Sequence, residues 1–61
     1  MKLKEIRKLN NLTQEETANK LKMARTTYAS YEQQLATPDI YTLINFCKTF
    51  NVRYTFIKGK I

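Results

Sequence analysis

Ile40, Leu43, Ile44, Cys47 and Phe50 fall at positions i, i+3, i+4, i+7 and i+10, and this apolar stripe constrains the fold more than any other feature of the chain. A repeat near 3.6 residues belongs to an α-helix buried along one side. Thr37-Pro38-Asp39 just before it is a helix-start signal, so the stripe is expected to be a core helix. Its packing partners must come from a chain of only 61 residues. A chain of this size removes roughly 60% of its unfolded surface from water, which supports one small core and no separate catalytic or cofactor-binding unit. One domain over residues 1–61 is expected.

The remaining segments carry the same period in shorter form. Leu3, Ile6 and Leu9 or Asn10 share a helical face, with Lys2, Lys4, Glu5 and Lys8 pointing elsewhere, and Asn10-Asn11 ends this helix. Leu12-Thr13-Gln14-Glu15-Glu16 contains a capping box: the Thr13 hydroxyl accepts from the Glu16 backbone N–H, and the Glu16 carboxylate accepts from the Thr13 N–H. The helix that starts there runs through Ala18 and Leu21 and is interrupted at Lys22-Met23-Ala24. A third helix, from about Arg25 to Gln33, places Tyr28 and Tyr31 on one face and Thr26, Thr27, Ala29, Ser30 and Gln33 on the others. After the fourth helix, Asn51 tolerates the left-handed conformation that closes a helix, and Tyr54, Phe56 and Ile57 suggest a short fifth. The expected fold is all-α, a compact bundle of about five short helices with no strand.

Composition narrows the function. With no His, a lone Cys47 and no Gly-rich segment, the usual zinc sites, Ser-His or Cys-His nucleophiles and phosphate-cradling loops cannot be assembled. Neither an enzyme nor a cofactor is expected. Cys47 cannot form an internal disulfide and reads as a small buried hydrophobe on the fourth helix, so the cytoplasm is the expected compartment. Charged residues open the chain, yet no unbroken apolar run of a signal peptide follows them and nothing is long enough to span a bilayer. Eleven Lys and Arg against five Asp and Glu give a formal charge of +6, which implies an anionic partner. Residues 1–25 hold seven basic residues against three acidic ones, whereas 26–50 hold one against two. Lys2, Lys4 and Lys8 read as a solvated helix face that adds long-range attraction.

Two helices joined by a tight turn, the second with an Arg in its first turn and small polar side chains outside, suit the major groove of B-DNA. Leu12 to Glu16, the three-residue turn Lys22 to Ala24, the Tyr31-Glu32 pair and the later Pro38 together resemble the phage repressor and Cro type of helix-turn-helix over about residues 3–58. The resemblance implies a lambda-repressor-like DNA-binding domain. Its implied function is sequence-specific transcription regulation, as a repressor that occupies an operator in double-stranded DNA, in a bacterial or phage-encoded, nucleoid-associated protein.

It also implies roles for single residues. Arg25, Thr26, Ala29 and Ser30 are expected to face base edges, Arg25 by a bidentate guanidinium–guanine contact or else by a phosphate. Gln14, Lys22, Thr27, Gln33 and Tyr41 are the expected phosphate contacts. For Tyr41, a partly exposed core edge is an equal reading. Arg7 and Glu32 match positions joined in some relatives by an ion pair between the first helix and the end of the third. Tyr28 replaces a branched aliphatic residue and is expected in the core. A homodimer is expected from Tyr54, Phe56, Ile57 and Ile61, because one module with few base contacts discriminates poorly against a genome.

Departures from the family pattern are specific. Lys22 and Gln34 stand where glycine is common, Ala24 where a Ser or Thr cap is usual, and Gln33-Gln34-Leu35-Ala36-Thr37 is uncharged where relatives place basic residues. The neutral loop keeps a second function class in view, a protein-interaction module of the same fold, such as an antirepressor or a toxin's partner, docking through Leu35, Tyr41 and the C-terminal aromatics. RNA and membrane surfaces are the weakest alternatives, since no aromatic stacking platform is evident and the apolar helix faces are needed for the core.

Overall fold

Helix boundaries in this chain are set by local chemistry. The computed structural model describes residues 2–58, in which α1 (Leu3–Leu9), α2 (Gln14–Lys20), α3 (Arg25–Glu32), α4 (Ile40–Phe50) and α5 (Tyr54–Lys58) follow one another with no strand among the described residues. The capping box opens α2: Glu16 N–H donates to Thr13 Oγ1 at 3.1 Å, and Thr13 N–H donates to Glu16 Oε1 at 2.8 Å. Asp39 caps α4 by accepting from the Thr42 N–H at 2.8 Å. At α3 the cap is Ala24, in extended conformation, with no side-chain acceptor to offer.

Four helices end in the same way. Asn11, Lys22, Gln34 and Asn51 adopt φ of 57°, 60°, 61° and 55°, the left-handed region. The residue after each donates back to a carbonyl in the last turn: Leu12 to Arg7, Met23 to Ala18, Leu35 to Ser30 and Val52 to Cys47, at 2.9–3.3 Å. These are Schellman-type closures, which satisfy carbonyls a helix end would otherwise leave unpaired. Asparagine tolerates the left-handed well; Lys22 and Gln34 carry a Cβ that costs roughly 1–2 kcal/mol there relative to glycine. The turn between α2 and α3 keeps the shape the helix-turn-helix pattern requires, with strain in place of glycine.

The core draws on every helix. Leu3 and Ile6 of α1, Ala18 with the α2 cap Leu21, Tyr28 of α3, Leu43 and Phe46 of α4 and Ile57 of α5 form one buried cluster, with Met23, Tyr31, Cys47, Phe50, Val52 and Tyr54 packed around it. Phe46 and Phe50 lie with ring centroids 4.6 Å apart, tilted by 40°. Lys2 N–H donates to the Ile57 carbonyl at 3.1 Å, joining the start of the described chain to α5.

The fourth helix is turned relative to expectation. Leu43 and Phe46 are buried, Cys47 and Phe50 half-buried, and Ile40 and Ile44 are 48% and 41% exposed. At 100° per residue the buried face is centred roughly 50° from the stripe read in the sequence, on the side of Phe46. An aromatic ring removes more apolar area from water than the exposed parts of the two isoleucines surrender. In α1, Leu9 is likewise exposed, since the helix ends before a third turn can press it onto the core.

Candidate nucleic-acid interface

The scaffold beneath α3 is polar and tightly joined. Arg7 Nε and Nη2 donate to the Glu32 carboxylate at 2.7 and 3.2 Å, and Arg7 Nη1 donates to the Leu12 carbonyl at 2.9 Å. The Arg7 and Glu32 side chains are only 11% and 3% exposed. Gln14 Nε2 donates to the same carboxylate at 3.1 Å. Burial works to raise the Glu32 pKa, but the hydrogen bonds from Arg7 and Gln14, with the Tyr28 hydroxyl nearby, outweigh it and hold the carboxyl below its usual range. The Arg7 guanidinium is held above its usual range by the hydrogen bond to Glu32, against the desolvation of burial. Burial pushes the Tyr28 phenol well above its ordinary range; its buried hydroxyl makes no hydrogen bond of ordinary geometry. One carboxylate thus ties α1, the start of α2 and the end of α3 together.

On that support α3 presents its outer face. Arg25, Thr26 and Thr27 are exposed in its first turn, Ser30 is half-buried one turn beyond Thr26, and Gln33 is exposed at the cap. Ala29, an expected base contact, is only 8% exposed, so little of its methyl is open to a base edge. Gln14, an expected phosphate contact, lies half-buried with its amide turned to Glu32, so part of its donor capacity serves the scaffold.

Three of the expected phosphate contacts, from three different segments, come together. Lys22 from the turn, Thr27 from α3 and Tyr41 from α4 line one open depression of about 380 Å³, with Tyr31, Thr42 and Asn45 adding polar side chains and Leu21 and Met23 apolar ones. Sequence reasoning missed Thr42 and Asn45; their place opposite the apolar stripe of α4, next to Tyr41 and one turn beyond it, was the available signal. Asp39 lies at the same depression, its carboxyl held below the usual range by hydrogen bonding from the Thr42 side chain and backbone. Its negative charge shares the depression with the cationic Lys22.

The expected dimer residues separate. Ile57 is fully buried in the core and cannot serve an interface, because its side chain closes the contact of α5 with the rest of the bundle. Tyr54 is half-buried against that core, and Ile61 lies outside the described residues. Phe56 is 45% exposed, with the Lys2 ammonium 5.2 Å from its ring centroid. Cys47 is half-buried, and burial raises its thiol pKa. Among the described residues no helix is long and apolar enough to cross a membrane.

Comparison with known proteins agrees with this geometry. The helix-turn-helix transcriptional regulator ImmR of Bacillus subtilis strain 168 is 34% identical over 59 residues, which cover 97% of this chain and 46% of ImmR. The uncharacterized helix-turn-helix transcriptional regulators YqaE and YobD of the same organism are 39% and 29% identical, each across 95% of this chain and 51% and 52% of their own lengths. The chain therefore spans about half the length of the curated relatives it matches. No solved structure gives a significant match. The helix-turn-helix family profile matches residues 3–57, from the first residue of α1 into α5, and the chain belongs to that family.

Proposed function

We propose that this chain is the DNA-binding module of a cytoplasmic transcription regulator, acting as a repressor that lays α3 in the major groove of a duplex operator. The observation that carries the reading is the division of α3: Tyr28 anchors it inward while Arg25, Thr26 and Thr27 stand exposed, Thr27 at the depression shared by Lys22 and Tyr41. Arg25, Thr26 and Ser30 read base edges; Lys22, Thr27, Gln33 and Tyr41 follow the phosphate backbone, with Gln14 assisting from α2. Few of these groups are cationic, so affinity rests on hydrogen bonds as much as on charge.

A homodimer on a near-palindromic site, with half-sites about 34 Å apart, supplies the specificity that one module lacks. Phe56 of α5, with Ile40 and Ile44 of α4, offers exposed apolar surface for it.

The test is a salt titration of binding to random duplex DNA with sequencing of the retained fraction. The expected result is an enriched two-fold symmetric motif and a log–log salt slope of roughly −2 to −4 per protomer, the value for a few neutralised phosphates. Binding without enrichment leaves only a basic fold that adheres to polyanions. A protein-docking module is the second reading, favoured by Leu35 and Tyr41, which are 76% and 78% exposed. Arg25→Ala separates the two, since it should impair operator binding far more than a protein contact made through Leu35 and Tyr41.

A further inference from the structure

The Ser30 side chain has its hydrogen-bonding role already divided. Its Oγ lies 2.6 Å from the Thr27 carbonyl oxygen. A carbonyl has no proton to give, so the one hydroxyl proton of Ser30 lies on this contact. What remains on Oγ is acceptor capacity alone. Arg25, in the first turn of the same helix, is the converse: a guanidinium has five N–H donors and no acceptor. Thr26 makes no such bond among the side-chain contacts of α3, and its exposed hydroxyl turns either way.

The major groove distinguishes these cases. Adenine and cytosine display an exocyclic amino donor, whereas guanine and thymine display only acceptors besides the thymine methyl. An outward-facing hydroxyl that can only accept pairs with an amino base and meets a keto base lone pair to lone pair. Building on the DNA-reading assignment above, we propose that Ser30 is a specificity residue that selects an amino base, adenine or cytosine, over a keto base at one position of each half-site. Back-bonding of a serine to the preceding turn of its own helix is ordinary backbone chemistry. Here it sets the polarity of the residue that reads DNA.

The test compares the wild-type chain, Ser30→Ala and Ser30→Thr in selection from random duplex DNA, with circular dichroism melting to verify that both variants fold. For wild type, one position per half-site is expected to favour A or C over G or T by roughly three- to tenfold, the discrimination of a single net hydrogen bond. Ser30→Ala removes that preference and leaves the rest of the motif; Ser30→Thr retains it, because threonine makes the same back-bond. A preference for G or T at the position that responds to Ser30→Ala overturns the proposal, and so does a motif that no Ser30 variant alters. A wild-type chain that enriches no motif overturns the DNA-reading assignment together with it, which separates that failure from one confined to Ser30.

Discussion

Replacing Arg7 by methionine isolates the most consequential contact in the molecule. The substitution keeps a long apolar side chain while removing both hydrogen bonds to Glu32, at 2.7 and 3.2 Å, and the one to the Leu12 carbonyl. Glu32 is left with its side chain 3% exposed and Gln14 as its hydrogen-bond donor at 3.1 Å. Breaking one side of a buried pair costs about 3–5 kcal/mol, because the remaining charge stays desolvated. The 11% exposure of Arg7 admits some water and places the expectation at the lower end, about 3 kcal/mol. A 61-residue domain has roughly 3–9 kcal/mol of stability in total, so Arg7→Met should remove between about a third and all of it near neutral pH. The double variant Arg7→Met/Glu32→Leu, which removes both charges, should recover most of the loss, since an apolar pair of similar volume is often neutral or better.

Acid adds an independent sign. The folded pKa of Glu32 is lowered, so in the wild type its stabilising contribution is complete above the unfolded carboxylate value of about 4.3 and is lost as pH falls through the lower folded value. Without Arg7, burial raises the folded pKa above the unfolded one, and the variant should gain relative stability as pH falls toward 4.3. Urea denaturation followed by far-ultraviolet circular dichroism, repeated down the pH scale, measures both effects. A cost below about 1 kcal/mol together with an unchanged acid profile would mean that Arg7 and Glu32 form only a solvated surface contact.

Three further outcomes are expected. Asp39→Asn keeps the cap of α4 but removes the negative charge at the depression, and should tighten low-salt binding to duplex DNA by roughly two- to fivefold in fluorescence anisotropy; equal affinity would place Asp39 outside the field of the bound phosphates. Ala24→Ser supplies the missing acceptor at the start of α3 and should raise unfolding stability by about 0.5–2 kcal/mol, seen as a higher urea midpoint; no gain would mean that the free N–H groups of α3 are already satisfied. Tyr28→Phe removes a buried hydroxyl that lacks a well-formed hydrogen bond and should be neutral or slightly stabilising, whereas a loss above about 1 kcal/mol by the same titration would show that the hydroxyl holds Glu32.

The features legible from residue order lie within about one helical turn of each residue. The Thr13–Glu16 box, the Asp39 start signal, the uncapped Ala24 and the left-handed Asn51 depend on contacts three to five residues apart, which the order of residues dictates directly. The bundle of five helices followed from apolar spacing, and the pairing of Arg7 with Glu32, 25 positions apart, was legible only through the resemblance of the whole pattern to a family. Tertiary structure decided the rest. Spacing fixes which residues share a helix face, but not how that face is turned toward its neighbours, so it was packing that buried Phe46 and exposed Ile40 and Ile44. The same holds for the burial of Ala29 on α3 and of Ile57 on α5, which neighbouring helices cover. Packing also gathered Lys22, Thr27 and Tyr41 around one depression and turned the Gln14 amide to Glu32. Such contacts depend on the relative placement of whole helices, a sum of many weak interactions that no short stretch of sequence contains.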